Sequence, residues 1–137
     1  MQHLTSTPTA KAPAERFTGD VYLNMIDAPT DPARLAAALV RFTPGARTNW
    51  HRHANGQTLY VTDGIGLVGT RDGEVVRVSA GEIVKCPAGE EHWHGATDTT
   101  LMAHIAMVVG DAAGDGTTWL EPVTDEQYTQ ALATLSA

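Results

Sequence analysis

His51-Arg-His53-Ala-Asn-Gly-Gln57 and, further along, Pro87-Ala-Gly89-Glu-Glu-His92-Trp-His94 are the two stretches that decide how this chain folds. His51 and His53 alternate, so an extended segment projects both imidazoles to one face. Gln57 keeps that parity after a turn at Asn55-Gly56. His92 and His94 also share a face, with Trp93 on the other. Glycines bracket both stretches: Gly45-x5-His51-x-His53-x3-Gln57-x6-Gly64, then Gly81-x5-Pro87-x-Gly89-x2-His92. Pro87 and Gly89 suit a tight turn that delivers His92. The pattern predicts a β-barrel in which separate hairpins bring His51, His53, His92 and the Gln57 amide oxygen to one divalent metal. Manganese(II) is favoured and iron(II) comes next, with zinc(II), nickel(II) and cobalt(II) as further candidates; four protein donors leave open positions on an octahedral ion. The bland alternative makes these histidines core or interface residues beside Trp50 and Trp93, and gives Gln57 a hydrogen-bonding role without metal.

Outward from these stretches, short apolar segments recur with turn signals between them, as in an all-β barrel or sandwich. Val21–Ile26 reads as a strand. Gln57–Thr62 and Ile65–Thr70 are expected to flank a turn at Asp63-Gly64, and Asp72-Gly73 to join the latter to Glu74–Val78. Glu82–Cys86 and Leu101–Val109 complete the strands. Asp31–Phe42 has a helix-favouring composition and an Asp-Pro start. The barrel nevertheless needs a strand into Gly45, so residues 37–42 are assigned as strand against local propensity. Thr124-Asp-Glu-Gln127 forms a capping box, and Tyr128, Leu132 and Leu135 follow at helical spacing. They predict a short C-terminal helix over residues 125–135, packed on the barrel or on a neighbouring subunit.

The chain has 137 residues, which fits one domain. Residues 1–14, rich in Thr, Ala and Pro, are expected to form a flexible arm ahead of a domain spanning 15–137. Nine basic against sixteen acidic residues give a net charge of −7, and no basic stripe stands out, which argues against nucleic acid as a partner. There is no apolar run of membrane-spanning length, and the N-terminus lacks the pattern of a signal peptide. A cytoplasmic location is the expectation, with no membrane partner. Cys86 has no second cysteine to bridge and reads as a buried, inert thiol.

Two further histidines bear on chemistry. His94 follows His92 on the same face. His104 shares a face with Met102, Ala106 and Val108 on an apolar strand, where an imidazole needs a partner. Either could be a satisfied structural residue. Beside a metal pocket, both become candidate catalytic groups, because imidazole moves protons near neutral pH.

The two glycine-bracketed stretches resemble the paired motifs of the cupin superfamily, which implies a single-domain jelly-roll barrel (a double-stranded β-helix). Several stretches are similar to the bacterial cupin-type hydroxynitrile lyases: Arg16–Val21, Phe42–Thr48 with Trp50-His51, Gly56–Leu59, Gly89–Gly95, Met102–His104 and Val123–Tyr128. That resemblance implies a manganese site at His51, His53, Gln57 and His92, active-site histidines at His94 and His104, and a homodimer or homotetramer. It implies cleavage of a cyanohydrin to an aldehyde and hydrogen cyanide. His104 is then the preferred base or cyanide donor and His94 the accessory donor. Strand alternation makes Ala38, Val40 and Val108 candidates for the pocket around a small-molecule substrate.

Gln57 stands where cupins commonly carry Glu. Three neutral imidazoles and a neutral amide leave the charge of a divalent ion uncompensated, which favours oxyanion stabilisation over support of an oxidised metal. Ala96 likewise stands where many cupins have Asn. The expectation is therefore a metal-dependent lyase. A manganese- or iron-dependent dioxygenase acting on a small phenol or diketone is the alternative enzyme, and a non-catalytic small-molecule-binding cupin is the alternative of another class.

Overall fold

The computed structural model describes residues 1–136 and is built almost wholly from antiparallel strands. In chain order these are β1 (Thr9–Lys11), β2 (Phe17–Thr18), β3 (Val21–Asp27), β4 (Leu35–Phe42), β5 (Arg47–Thr48), β6 (His51–His53), β7 (Gln57–Thr70), β8 (Val75–Ser79), β9 (Ile83–Cys86), β10 (His92–Ala96), β11 (Met102–Val109) and β12 (Thr117–Trp119), followed by helix α1 (Asp125–Ser136).

One long strand makes the barrel. The first half of β7 pairs with β9 and β11, and its second half pairs with β8 and β10. β11 continues through β4 and β3 to β1. β10 continues through β5 to β2 and through β6 to β12. The expected hairpin at Asp63-Gly64 is therefore corrected: Gln57–Thr70 is a single strand of 14 residues passing from one sheet to the other. The pairing with β11 slips where Ala103 faces Asp63 but His104 faces Val61, which leaves a bulge. Gly64 has φ of 74°, and a Cβ there would run into the Leu101 carbonyl. Glycine at this crossing is set by close backbone approach, not by a turn. The turn at Asp72-Gly73 forms as expected, with Gly73 at φ 90° and Thr70 N–H donating to Glu74 O at 3.0 Å.

Leu35–Phe42 is a strand, two residues longer at its start than expected, and its local helical preference is overridden. Full pairing between β3 and β11 supplies the backbone partners. Burial of Val40 and Phe42 supplies the apolar gain, about 1.5–3 kcal/mol for each large side chain. The segment read as a flexible arm is also revised: Thr9–Lys11 pairs with Tyr22–Asn24, and Ala12 is buried.

Two apolar clusters result. One fills the space between the sheets around Val21, Phe42, Leu59, Val61 and Met102. The other lies outside β10, where Trp50, Leu67 and Trp93 meet Tyr128 and Ala131 of α1. The helix packs on its own barrel. Its capping box closes as predicted, with Gln127 N–H donating to Thr124 Oγ1 at 3.1 Å and Thr124 N–H to Gln127 Oε1 at 2.9 Å. Buried Arg47 pins the helix start through Val123 O at 2.9 Å and Asp125 at 2.8 Å. Among the described residues no helix is long and apolar enough to cross a membrane.

Candidate active site

Strand parity turns His51 and His53 of β6, Gln57 of β7 and His92 of β10 into the barrel. His51 sits directly opposite His92 in the ladder. Gly56, at φ 77°, permits the tight turn before Gln57, where a Cβ would strike the Cys86 carbonyl. Each of the three histidines places a ring nitrogen within 4.8 Å of the others', and all are buried. This is the cluster of three expected from sequence, and Gln57 Oε1 lies 3.1 Å from His92 Nε2.

The outer ring nitrogens decide the chemistry. His51 Nδ1 is 2.9 Å from Asn49 O, and His92 Nδ1 is 2.9 Å from Glu90 O. A carbonyl oxygen only accepts, so both Nδ1 atoms carry the proton and both Nε2 atoms present bare lone pairs. His53 Nδ1 is 2.9 Å from Thr117 Oγ1, and its Nε2 is buried with no partner. Burial foremost, then the neighbouring His92, pushes the His53 pKa down to about 4 and that of His51 well below the ordinary value; burial lowers His92 also. The imidazoles are neutral donors at pH 7. With its oxygen toward His92 Nε2 at 3.1 Å, the Gln57 amide sets two acceptors face to face, which suits a shared positive centre; turned about, the amide would donate N–H to His92 instead. The donor set thus fits a divalent cation: imidazole nitrogens and an amide oxygen, each outer nitrogen anchored behind it.

His94 and His104 form a separate pair. His104 Nε2 and His94 Nδ1 are 2.9 Å apart, while His94 Nε2 and His104 Nδ1 are buried without partners. Phe42 packs against both rings, with centroids 5.9 and 5.2 Å away. Burial holds His104 at about 4; burial, together with His104 beside it, holds His94 well below the ordinary range. Both rings are neutral, so the pair has one shared hydrogen bond and two free outer nitrogens, one bare and one protonated in either tautomer. The His94 ring lies 5.1 Å from that of His51, so the pair adjoins the cluster.

His51, His53, Gln57, His94 and His104 line a cavity of about 240 Å³, and Ala38, Val40 and Val108, expected from strand alternation, stand on its wall. Sequence reasoning missed Asn49, Thr117 and Trp119. Trp119 stacks near His51, centroids 4.7 Å apart, and β12 carries the hydroxyl behind His53. The Thr-Thr-Trp triplet is β-favouring, yet three residues after a Gly/Asp/Ala loop give no readable alternation. Cys86, the cross-strand neighbour of Gln57, is buried, its thiol pushed up to about 12 by burial.

A curled double sheet that gathers histidines from two hairpins around an interior cavity defines a cupin. The cupin domain family matches residues 38–109, and the chain belongs to that family. Over 128 residues it is 44% identical to the (R)-mandelonitrile lyase of Granulicella tundricola, covering 93% of this chain and 97% of the relative. A cupin-like protein of Thermotoga maritima superposes with a TM-score of 0.85 at 32% identity, covering 96% of this chain and 97% of that one. The polyketide cyclase RemF of Streptomyces resistomycificus shares the fold, with a TM-score of 0.71 at 18% identity and coverage of 93% and 90%.

Proposed function

We propose that this cupin is a metal-dependent lyase that cleaves cyanohydrins to an aldehyde and hydrogen cyanide and joins them in reverse. One observation carries the reading: His51, His53 and Gln57 of the cluster line the same cavity as a neutral histidine pair whose outer nitrogens have no partner. The 44% identical relative named as an (R)-mandelonitrile lyase supports it. A divalent cation held by His51, His53, His92 and Gln57, with manganese(II) first and iron(II) next, would supply electrophilic polarisation of a substrate oxygen.

The remaining chemistry belongs to the chain. The bare outer nitrogen of the His94–His104 pair takes the substrate hydroxyl proton. The carbon–carbon bond to the nitrile breaks, its electron pair leaves on cyanide, and the oxygen lone pair closes the carbonyl. The protonated outer nitrogen of the pair delivers a proton to cyanide. Transfer across the shared 2.9 Å hydrogen bond completes the exchange, so one proton enters and one leaves. Ala38, Val40 and Val108 hold the substrate's apolar part and keep water off the reacting carbon. An all-neutral donor set suits stabilisation of negative oxygen better than stabilisation of an oxidised metal, which places the lyase ahead of a dioxygenase.

The test loads the protein with manganese(II), measures occupancy by elemental analysis, adds mandelonitrile and follows benzaldehyde absorbance. A metal-dependent rate above buffer is expected. Full occupancy with no rate above buffer ends the reading.

A further inference from the structure

We propose that Arg16 recognises a carboxylate, and that the preferred substrate is a small aromatic hydroxy or carbonyl compound carrying an acid group remote from its reacting oxygen. The inference rests on reading this cavity as the substrate site, and it concerns which substrate the cavity selects.

Arg16 is the one Lys or Arg on the cavity wall among the described residues. Its backbone is fixed to the reacting centre. Arg16 N–H donates to Pro13 O at 3.0 Å, and Asn49 N–H donates to Arg16 O at 2.8 Å. The Asn49 side chain donates to Glu15 O at 2.8 Å, while the Asn49 carbonyl is the acceptor that orients His51. Rim and cluster are therefore tied through one residue. The guanidinium lies 5.4 Å from the Trp119 ring centre, and the same ring lies 4.7 Å from His51. The cation and the metal-ligand candidates thus border a common aromatic wall, one indole apart, with Phe17 against Trp119 at 5.6 Å.

What this guanidinium lacks is a counter-ion. Arg34, Arg47, Arg52 and Arg71 each pair with a carboxylate, and Arg41, which donates to Asn24 Oδ1, and Arg77 lie off the cavity wall. No carboxylate pairs with Arg16 among the described residues, although Asp115 lines the same cavity. Asp115 instead accepts a hydrogen bond from Thr117 N–H at 3.0 Å, which fixes β12. An arginine held on an aromatic face keeps its planar fork ready for a bidentate carboxylate. The wall between the two polar ends is apolar and aromatic, which selects a ring as the spacer.

The experiment measures binding by calorimetry to the manganese-loaded protein, using 4-(hydroxymethyl)benzoate and benzyl alcohol as probes. The acid is expected to bind about tenfold more tightly, as a partly exposed charged hydrogen bond allows. Arg16→Gln should abolish that preference and leave benzyl alcohol binding unchanged, and Arg16→Lys should retain part of it. The side chain is exposed, so both variants should melt with the parent. Absence of a preference in the parent, or its survival in Arg16→Gln, overturns the inference; survival would mean the carboxylate is held elsewhere. A protein that prefers the acid but leaves mandelonitrile intact keeps this inference and loses the lyase reading, and the opposite pair of results does the reverse.

Discussion

The two histidine groups in this barrel have the same side chain, the same depth and similar depressed basicity, yet they are wired in opposite ways. In the cluster, His51 and His92 each donate Nδ1–H to a backbone carbonyl, which commits one tautomer and one lone pair. In the pair, His94 and His104 are bonded to each other and to nothing else. The first wiring fixes where the protons are and suits holding a cation. The second leaves two interchangeable tautomers and suits moving a proton. Burial makes both groups neutral; the partner of the second nitrogen separates their roles.

The largest effect should come from breaking the cluster. His92→Ala removes a donor and the partner of Gln57. Metal content should fall to background and the rate to that of solution, read by elemental analysis and benzaldehyde release. Metal retained at parent level would mean the cluster is structural. Breaking the pair should separate the two functions. His104→Gln keeps a polar group against His94 but cannot exchange protons between two nitrogens. The rate should fall by about a thousandfold, within the range for general acid–base groups, with metal content unchanged. Loss of metal in this variant would show that the two groups are not independent.

The inward placement of both histidine groups was legible in the sequence. Period-two alternation placed His51, His53 and His92 on inward faces, and the apolar setting of His104 marked it as needing a partner. The identity of that partner was not legible. His94 and His104 come together because β10 and β11 face each other across the barrel, not because they are neighbours in a ladder. The carbonyls of Asn49 and Glu90 were invisible for another reason: main-chain acceptors carry no sequence signature. The Asp63-Gly64 error has a similar root. An Asp-Gly pair between alternating runs looks the same whether glycine is needed for a turn or for the close approach of Leu101. Residues 31–42 show the converse case, in which pairing on both edges outweighed a helical composition.

Gln57→Glu sharpens the comparison by changing charge at fixed shape. If the Gln57 oxygen is a metal donor, a carboxylate should bind the cation more tightly and reduce its remaining charge, lowering the rate tenfold or more. If the amide instead donates N–H to His92, the carboxylate faces a bare lone pair. Stability then falls with no gain in metal affinity. Metal titration and melting temperature together separate the two.

Acid acts on both groups at once. His53 and His104 are held at about 4, and His51, His92 and His94 are also lowered. The unfolded chain binds protons near the ordinary value of about 6.5. Between about 6.5 and 4 it therefore holds more protons than the folded protein, and unfolding becomes easier as pH falls. The stability is fully present above about 6.5. The metal-free protein should lose several degrees of melting temperature between pH 7 and pH 5, and a flat profile would contradict neutral burial of these rings.

The smallest change tests whether wiring behind a ligand matters as much as the ligand. Thr117→Val keeps shape but deletes the hydroxyl 2.9 Å from His53 Nδ1. His53 then has two unanchored nitrogens and resembles the rings of the pair more than its neighbours in the cluster. Metal affinity should drop by about tenfold, the usual cost of losing such a support, while metal-saturated turnover changes little. His53 is the one cluster histidine whose anchor is a hydroxyl, which can donate as well as accept, so its tautomer is not forced by a carbonyl as those of His51 and His92 are. An unchanged affinity would mean that His51 and His92 alone set the site. The commitment of tautomers by carbonyls would then carry the difference between the two histidine groups, and the side-chain anchor would be incidental.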